Sequence, residues 1–198
     1  MVETEVLTID SMTSDILSTG LSSSAVSLSS LINHDVNIQE MGTADNPGEV
    51  ATTTDRHSNE SILILKTELI GPIMGINYLL LTKPEVTTIC DHVFGEELAD
   101  ENNSQFVIEF LKELENVLAA STITAISDAL NVDMYGDVPK IQAAPYTEVP
   151  RIIDQETGKI SPRVVLHADF HVPGINVSPR VLWFFNRSFQ EIKQNING

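Results

Sequence analysis

Apolar residues recur at helical spacing in two long segments of the chain. Residues 104 to 131 carry them three and four positions apart, which is typical of a helix with one face packed on a core. Residues from about Ser11 to Ile32 show similar spacing despite their many serines. The pattern therefore predicts two long helices, with Asn131 as the stop of the second. The predicted core stripe of that helix consists of Val107, Phe110, Leu111, Leu114, Leu118, Ser121, Thr122, Ala125 and Ala129.

The two segments align with each other. A shift of 98 residues lays "SLSSLINHDV" over "AISDALNVDM", so that Asn33 falls on Asn131 and Asp35 on Asp133. Each helix is followed by a polar loop, two strand-like runs and a short helix; the runs are "ILILKTELIG" and "IMGINYLLLT" in one half, "RVVLHADFHV" and "INVSPRVLWFF" in the other. We interpret residues 1–198 as one domain made of two repeats, about 8–96 and 104–198, related by a pseudo-twofold axis.

The strand-like runs alternate apolar and polar positions, which favours a sheet with one face packed on helices and the other in water. The expected fold class is therefore α+β, with a duplicated unit of long helix, strand, strand pair and short helix. About six strands would pack on the two long helices. The stretches 42–60 and 143–161, rich in Gly, Pro, Asp and Thr, are expected to be surface loops.

Composition narrows the choice of partners. The chain has 11 Lys and Arg against 28 Asp and Glu, a formal net charge of −17, which disfavours nucleic acid and anionic membranes as partners. No apolar run reaches the roughly 20 residues of a membrane span, and the acidic start "MVETEVLTID" is unlike a signal peptide. Together with the single cysteine, Cys90, these features predict a cytoplasmic protein without membrane insertion.

A stripe of polar residues lies along one face of the second long helix. Glu109, Glu113 and Asn116 are four and three positions apart and therefore share one helical face, away from the core stripe. A solvated surface is the ordinary interpretation of such a face. A site for a partner is the alternative.

One motif favours the alternative. Glu113-x-x-Asn116, followed after 22 residues by Pro139, resembles the signature of the CheC/CheX/FliY family, phosphatases of the chemotaxis response regulator CheY. The stretch "LENVLAASTITAISDALNVDMYGDVPKI" also resembles the second half of a CheC protein, and the order of elements fits that family over nearly the whole chain. The family usually has Asp or Ser four residues before the Glu, where this chain has Glu109.

The resemblance implies a division of roles. Asn116 would enter the active site of a CheY-like receiver and align a water with the phosphorus of its aspartyl phosphate, because an amide both donates and accepts hydrogen bonds. Glu113 would pair with the lysine of that active site. Glu109 would lie at the docking surface, where a further carboxylate repels a phosphoryl group, and Pro139 would be structural, ending the strand after the helix.

The first repeat is expected to hold a degenerate site. The shift of 98 places Ser11, Asp15 and Ser18 at the positions of Glu109, Glu113 and Asn116. Only Ser11 fits the family pattern. Asp15 has a shorter carboxylate than the Glu of the motif, and Ser18 has no amide. Met41 stands where the second repeat has its proline. The sequence therefore leaves open whether the chain is closer to CheC, with two sites, or to CheX, with one.

The resemblance implies an enzyme without a cofactor of its own, since the receiver brings Mg²⁺. The CheY-like receiver is the expected partner; a CheD-like deamidase and a second copy of the chain are further partners that it allows. The rival hypothesis is a non-catalytic adaptor of the same fold in a flagellar switch or chemotaxis array. Exposure of Glu113 and Asn116 would favour the phosphatase, and burial of both would favour the adaptor.

Three other groups of residues receive ordinary structural interpretations. His167, Asp169 and His171 alternate along one predicted strand and could hold a metal, but a solvated sheet face is the more common outcome. Cys90 has acidic neighbours, which raise rather than lower a thiol pKa, so we expect a buried, unreactive cysteine. The aromatic run from Trp183 to Phe185 is expected to be core.

Overall fold

Both long helices lie where the apolar spacing predicts them. In the computed structural model, which describes residues 11–43, 60–95, 104–160, 163–189 and 191–192, α1 spans Ser11–Ile32. Helix α2 spans Lys83–Phe94 and α3 spans Ser104–Leu130. A fourth helix, α4, spans Val149–Thr157 and follows a short 3₁₀ turn at Tyr146–Glu148. None of the helices formed by the described residues is long and apolar enough to cross a membrane.

The ends of α1 and α3 are alike. Asn33 and Asn131 each adopt a left-handed conformation, with φ of 52° and 49°. The amide of the next residue then reaches back to the carbonyl of Ser29 at 3.1 Å in α1, and to that of Ser127 at 3.0 Å in α3. This is the Schellman arrangement, which asparagine tolerates better than most residues. The alignment at a shift of 98 residues is therefore matched in local backbone structure.

Seven strands form one antiparallel sheet in the described part of the chain. They are β1 (Asn37–Thr43), β2 (Ser61–Ile70), β3 (Gly75–Thr82), β4 (Tyr135–Gly136), β5 (Lys140–Pro145), β6 (Arg163–His171) and β7 (Arg180–Asn186). Their order is β1-β6-β7-β3-β2-β4, and β5 also pairs with β2. Strands from the two halves of the sequence therefore form one sheet, which agrees with the expected α+β class. The pseudo-twofold duplication itself stays an interpretation.

Helices α1 and α3 pack side by side on one face of the sheet. Ser24 lies at their contact and its hydroxyl is 2.9 Å from the Leu118 carbonyl and 3.0 Å from the Thr122 hydroxyl. Gly20 faces Thr122 so closely that a β-carbon there would lie 3.1 Å from the Thr122 α-carbon. Ser24 and Thr122 are themselves 98 residues apart, so positions that correspond in the alignment also meet in space.

The other face of the sheet is also covered, which corrects the expectation of a wet face. Helix α4 places Val149 and Ile153 against that face, where both are fully buried. All eight residues of β3 are buried as a result. The prediction of a surface loop over 143–161 was therefore wrong. The segment has many polar residues, and its apolar side chains at four-residue spacing were overlooked. Of the other predicted loop, 42–60, residues 44–59 lie outside the described part.

Two short helices were expected after the strand pairs. The first is confirmed as α2, which a capping box starts: the Thr82 hydroxyl accepts from the Glu85 amide at 3.3 Å, and Glu85 Oε2 accepts from the Thr82 amide at 2.7 Å. The second, expected over 187–196, begins with a helical bond from the Glu191 amide to the Arg187 carbonyl at 3.1 Å. Most of its remainder lies outside the described residues.

Candidate functional site

Helix α3 has one side buried in the core and the opposite side exposed to solvent. Leu111, Leu114 and Leu118 are each about 1 % exposed and form part of the core between helix and sheet. On the opposite side, Glu109, Glu113 and Asn116 are exposed to solvent. The structure thus brings the three predicted residues of this helix onto one open face. The predicted core stripe needs one correction: Ala129 is exposed, and Ala119, Ile123, Ile126 and Leu130 are buried instead.

Contacts near its start and near its middle hold α3 in place. Near its start, the Phe94 ring at the end of α2 meets the Phe106 and Phe110 rings edge to face, with centroids 4.9 and 4.8 Å apart. Near its middle, the hydroxyls of Ser24 and Thr122 join it to α1. Because the buried side of the helix is anchored at both places, the exposed side is presented in a fixed orientation.

Glu113 and Asn116 have no partners within the described structure. Neither side chain forms a hydrogen bond or ion pair with another described residue. Glu109 differs, since its Oε1 accepts from Gln105 at 2.8 Å and lies 3.3 Å from the Lys112 ammonium. The structure therefore leaves one carboxylate and one amide, three residues apart, available to another molecule.

Lys112 affects the charge that Glu109 presents at the position where the family usually has Asp or Ser. A carboxylate paired with an ammonium presents less negative charge to an approaching phosphoryl group than a free one does. The pair is exposed, with 58 % of the Glu109 side chain accessible, so water screens it strongly. Lys112 thus reduces, but does not cancel, the repulsion expected from Glu109.

Pro139 lies outside this exposed face. It is buried and comes three residues after the end of β4, immediately before β5. The preceding turn is fixed by two bonds: the Asp137 amide donates to the Glu68 carbonyl at 2.8 Å, and the Val138 amide to Asp137 Oδ1 at 2.8 Å. Pro139 therefore contributes to the path of the chain, but it leads into a strand rather than ending one.

The first repeat carries no comparable pair. Ser11, Asp15 and Ser18 all lie on α1, with Asp15 exposed and Ser18 half-buried. Met41 on β1 is 40 % exposed, in contrast to the buried Pro139. Because α1 offers no amide at the position of Asn116, the described face lacks the group that would orient a water.

Glu115 is a feature of the site that the sequence analysis missed. It is fully buried between α3 and the sheet, and its Oε1 accepts from Asn77 Nδ2 of β3 at 3.0 Å. Burial raises the pKa of this carboxyl to about 8, and the adjacent Thr67 and Asn77 only partly oppose the rise. A signal was present, because Glu115 is four residues from both Leu111 and Ala119 and so belongs to the core stripe.

The predicted strand histidines have ordinary surroundings. Asp169 Oδ1 accepts from Arg180 Nε at 2.6 Å, and its other oxygen pairs with the same guanidinium. His171 Nδ1 lies 3.5 Å from the Ser178 hydroxyl. Burial and the nearby Arg180 lower the pKa of His167. No group of three metal-ligating side chains forms within the described residues.

Cys90 and the aromatic run behave as expected. Cys90 is buried, and burial together with the adjacent Asp91 raises the pKa of its thiol to about 11. Trp183, Phe184 and Phe185 are at most 1 % exposed and belong to the two cores. The expected burial of Cys90 and of the aromatic residues is confirmed, and the low reactivity of the thiol stays a prediction.

Comparison with known proteins gives matches in structure alone. No family model matches the sequence, and no curated protein matches it. FliY from Thermotoga maritima superposes with a TM-score of 0.63 at 16 % identity, over 95 % of this chain and 97 % of that one.

Two further structures are informative. One is the CheX-CheY-BeF₃-Mg²⁺ complex from Borrelia burgdorferi, with a TM-score of 0.58 at 16 % identity over 87 % of this chain and 99 % of the other. The other is the FliM middle domain from Vibrio alginolyticus, with a TM-score of 0.54 at 14 % identity over 93 % and 98 %. The chain therefore has the fold of the CheC-like, CheX and FliY chemotaxis proteins, which FliM also resembles.

Proposed function

We propose that this protein is a phosphatase of a CheY-like receiver and acts through Glu113 and Asn116 of α3. The observation that carries the proposal is the pair itself: two exposed side chains without partners, in a family-like motif, on a helix whose other side is buried. The fold and the CheX-CheY complex among its structural neighbours support a receiver as the partner. The setting would be chemotaxis or a related two-component pathway.

The reaction needs little from the protein. An aspartyl phosphate is already activated, and the receiver's own Mg²⁺ offsets charge on the phosphoryl oxygens. The amide of Asn116 would accept a hydrogen bond from the attacking water and orient its oxygen in line with phosphorus. The water oxygen bonds to phosphorus as the bond to the aspartyl oxygen breaks, which yields inorganic phosphate and a free carboxylate.

Glu113 would hold the complex in register. A carboxylate that pairs with the receiver's active-site lysine forms a charge-assisted contact next to the reacting centre. Glu113 and Asn116 are three positions apart, so both reach the same partner surface from adjacent turns of α3. The position of α4, which packs on the opposite face of the sheet and not over this helix, supports docking at the exposed face of α3.

The test is the decay of aspartyl phosphate on CheY-like receivers from the same genome. Wild-type protein should accelerate the decay on its cognate receiver, and Asn116→Ala should not. Thr124→Ala is the matched control, because Thr124 is exposed on the same helix eight residues further on. The proposal fails if the wild type leaves every receiver's decay unchanged.

A non-catalytic adaptor remains the second candidate, favoured by the FliM-like fold and by the degenerate first repeat. An adaptor would bind a receiver or a switch protein without changing the lifetime of the phosphate. The same decay assay, run beside a binding measurement, separates the two candidates. A CheD-like deamidase and a second copy of this chain stay predictions drawn from the family resemblance.

A further inference from the structure

Glu115 lies between the two proposed site residues in sequence but points the opposite way. Glu113 and Asn116 are exposed, whereas Glu115 is 0 % exposed. Its carboxyl meets two buried polar residues of the sheet, Thr67 of β2 and Asn77 of β3, which are direct cross-strand partners. A polar cluster therefore joins the sheet to the very turn of α3 that carries the site.

The cluster holds no compensating charge. No charged side chain of the described residues contributes to the pKa of Glu115, which burial alone drives upward. The charged neighbours on β2, Lys66 and Glu68, lie on the other sheet face, where the Lys66 ammonium is 3.2 Å from Glu156 of α4. An unpaired carboxylate is costly in such a place, so the neutral acid is the stable form.

The cluster contains oxygens that lack hydrogen-bond donors within the described structure. Within the described structure, three buried oxygens of the cluster lack a partner of good geometry: Thr67 Oγ1, Asn77 Oδ1 and Glu115 Oε2. A proton on Glu115 Oε2 adds a donor to a group otherwise rich in acceptors. With its proton, Glu115 can both accept from Asn77 and donate within the cluster, which ties the helix turn to two strands.

We propose that Glu115 is a positioning residue whose protonated carboxyl, bonded to Asn77 and lying beside Thr67, orients the turn of α3 that presents Glu113 and Asn116. Loss of the proton leaves a charge that water solvates far better than the core does, and the turn must shift to reach it. A displacement of about 1 Å can cost about 100-fold in rate at a reacting centre. This inference rests on the proposed phosphatase function.

The test compares pH profiles of receiver dephosphorylation for wild type and Glu115→Gln, each corrected for the receiver's spontaneous decay. Glutamine keeps the shape and cannot ionise. Above about pH 8 the wild-type rate should fall about tenfold per pH unit while that of Glu115→Gln stays level. Near neutral pH the two should agree within about twofold. Identical profiles across the alkaline range would overturn the inference.

Thr67→Val provides a second variant should the glutamine protein not fold. It removes a group that favours the charged form but keeps the branched shape, so the alkaline midpoint should move to higher pH. An unchanged midpoint in this variant also counts against the inference.

A readout without the receiver separates this inference from the phosphatase proposal. The backbone amide resonances of residues 113–116 should shift with the titration of the Glu115 carboxyl in the wild type and stay constant in Glu115→Gln. If those shifts occur but no receiver is dephosphorylated, the phosphatase proposal fails and the positioning role stands. If the resonances ignore the titration, the positioning role fails whatever the activity.

Discussion

Replacing Glu115 by glutamine should change how stability depends on pH. In the folded protein the carboxyl has a pKa of about 8, against 4.5 for an ordinary glutamate. Between these two values the folded state binds a proton that the unfolded chain has lost. Stability therefore falls as pH rises through this window, and the loss is complete above about pH 8.

The magnitude follows from linkage. One unit of pKa difference corresponds to about 1.4 kcal/mol, so the window from 4.5 to about 8 corresponds to about 5 kcal/mol in all. At pH 7 the wild type should already have lost about 3 kcal/mol of the stability that it has when Glu115 is protonated in both states. A domain of this size has only about 5–15 kcal/mol in total, so the effect should be easy to detect.

The assay is urea unfolding of wild type and Glu115→Gln at several pH values. Other carboxyls titrate in both proteins, so the difference between the two curves isolates Glu115. The glutamine variant should gain on the wild type steadily as pH rises and then hold its lead. Glu109→Gln removes an exposed carboxylate from the same helix and is the matched control, expected to follow the wild-type slope. Parallel curves for wild type and Glu115→Gln would refute the reasoning.

Further predictions concern close packing, the buried thiol and the docking carboxylate. Gly75→Ala should destabilise the fold by about 1–3 kcal/mol in thermal unfolding, because the added β-carbon would lie 2.5 Å from the Phe184 carbonyl oxygen. Gly158→Ala, whose β-carbon would approach no atom closer than 3.3 Å, should cost far less, and equal losses would contradict this account. Cys90 should react with iodoacetamide at neutral pH only when the chain unfolds, since its thiol has a raised pKa of about 11; rapid labelling of the native protein would disprove its burial. Glu109→Ser should speed receiver dephosphorylation by a few fold through reduced repulsion, and a slower rate would show instead that Glu109 contributes to docking.

Periodicity predicted four adjacent strands of the sheet and the two long helices packed on it. Both long helices and the strands β2, β3, β6 and β7 follow from apolar spacing, since each buries a continuous face. The stop at Asn131 was equally visible, because asparagine is one of the few residues that adopts the left-handed conformation readily.

The amino-acid composition around α4 led to the prediction of a loop instead of a helix. The segment 143–161 contains two prolines, Pro145 and Pro150, and many polar residues, which are typical of a loop. Val149, Ile153 and Thr157 nevertheless recur every four residues and are all buried. Local pattern could not reveal that this short helix would cover a second sheet face, because that depends on which strands are central.

The site was predictable in part. Spacing placed Glu109, Glu113 and Asn116 on one face, and the structure shows that face to be open. The spacing of Glu115 from Leu111 and Ala119 could have indicated its burial, but not its raised pKa or its hydrogen-bond partner. Its polar neighbours, Thr67 and Asn77, come together beneath it only through the strand pairing.

The central claim is that Asn116 orients the attacking water and does not serve as a binding contact. The most direct test measures, for wild type and Asn116→Ala, both the decay of the receiver's aspartyl phosphate and the affinity for the same receiver activated with BeF₃⁻. The account predicts that the variant binds within a few fold of wild type while its acceleration of the decay is lost. A variant that still accelerates decay as the wild type does would contradict it.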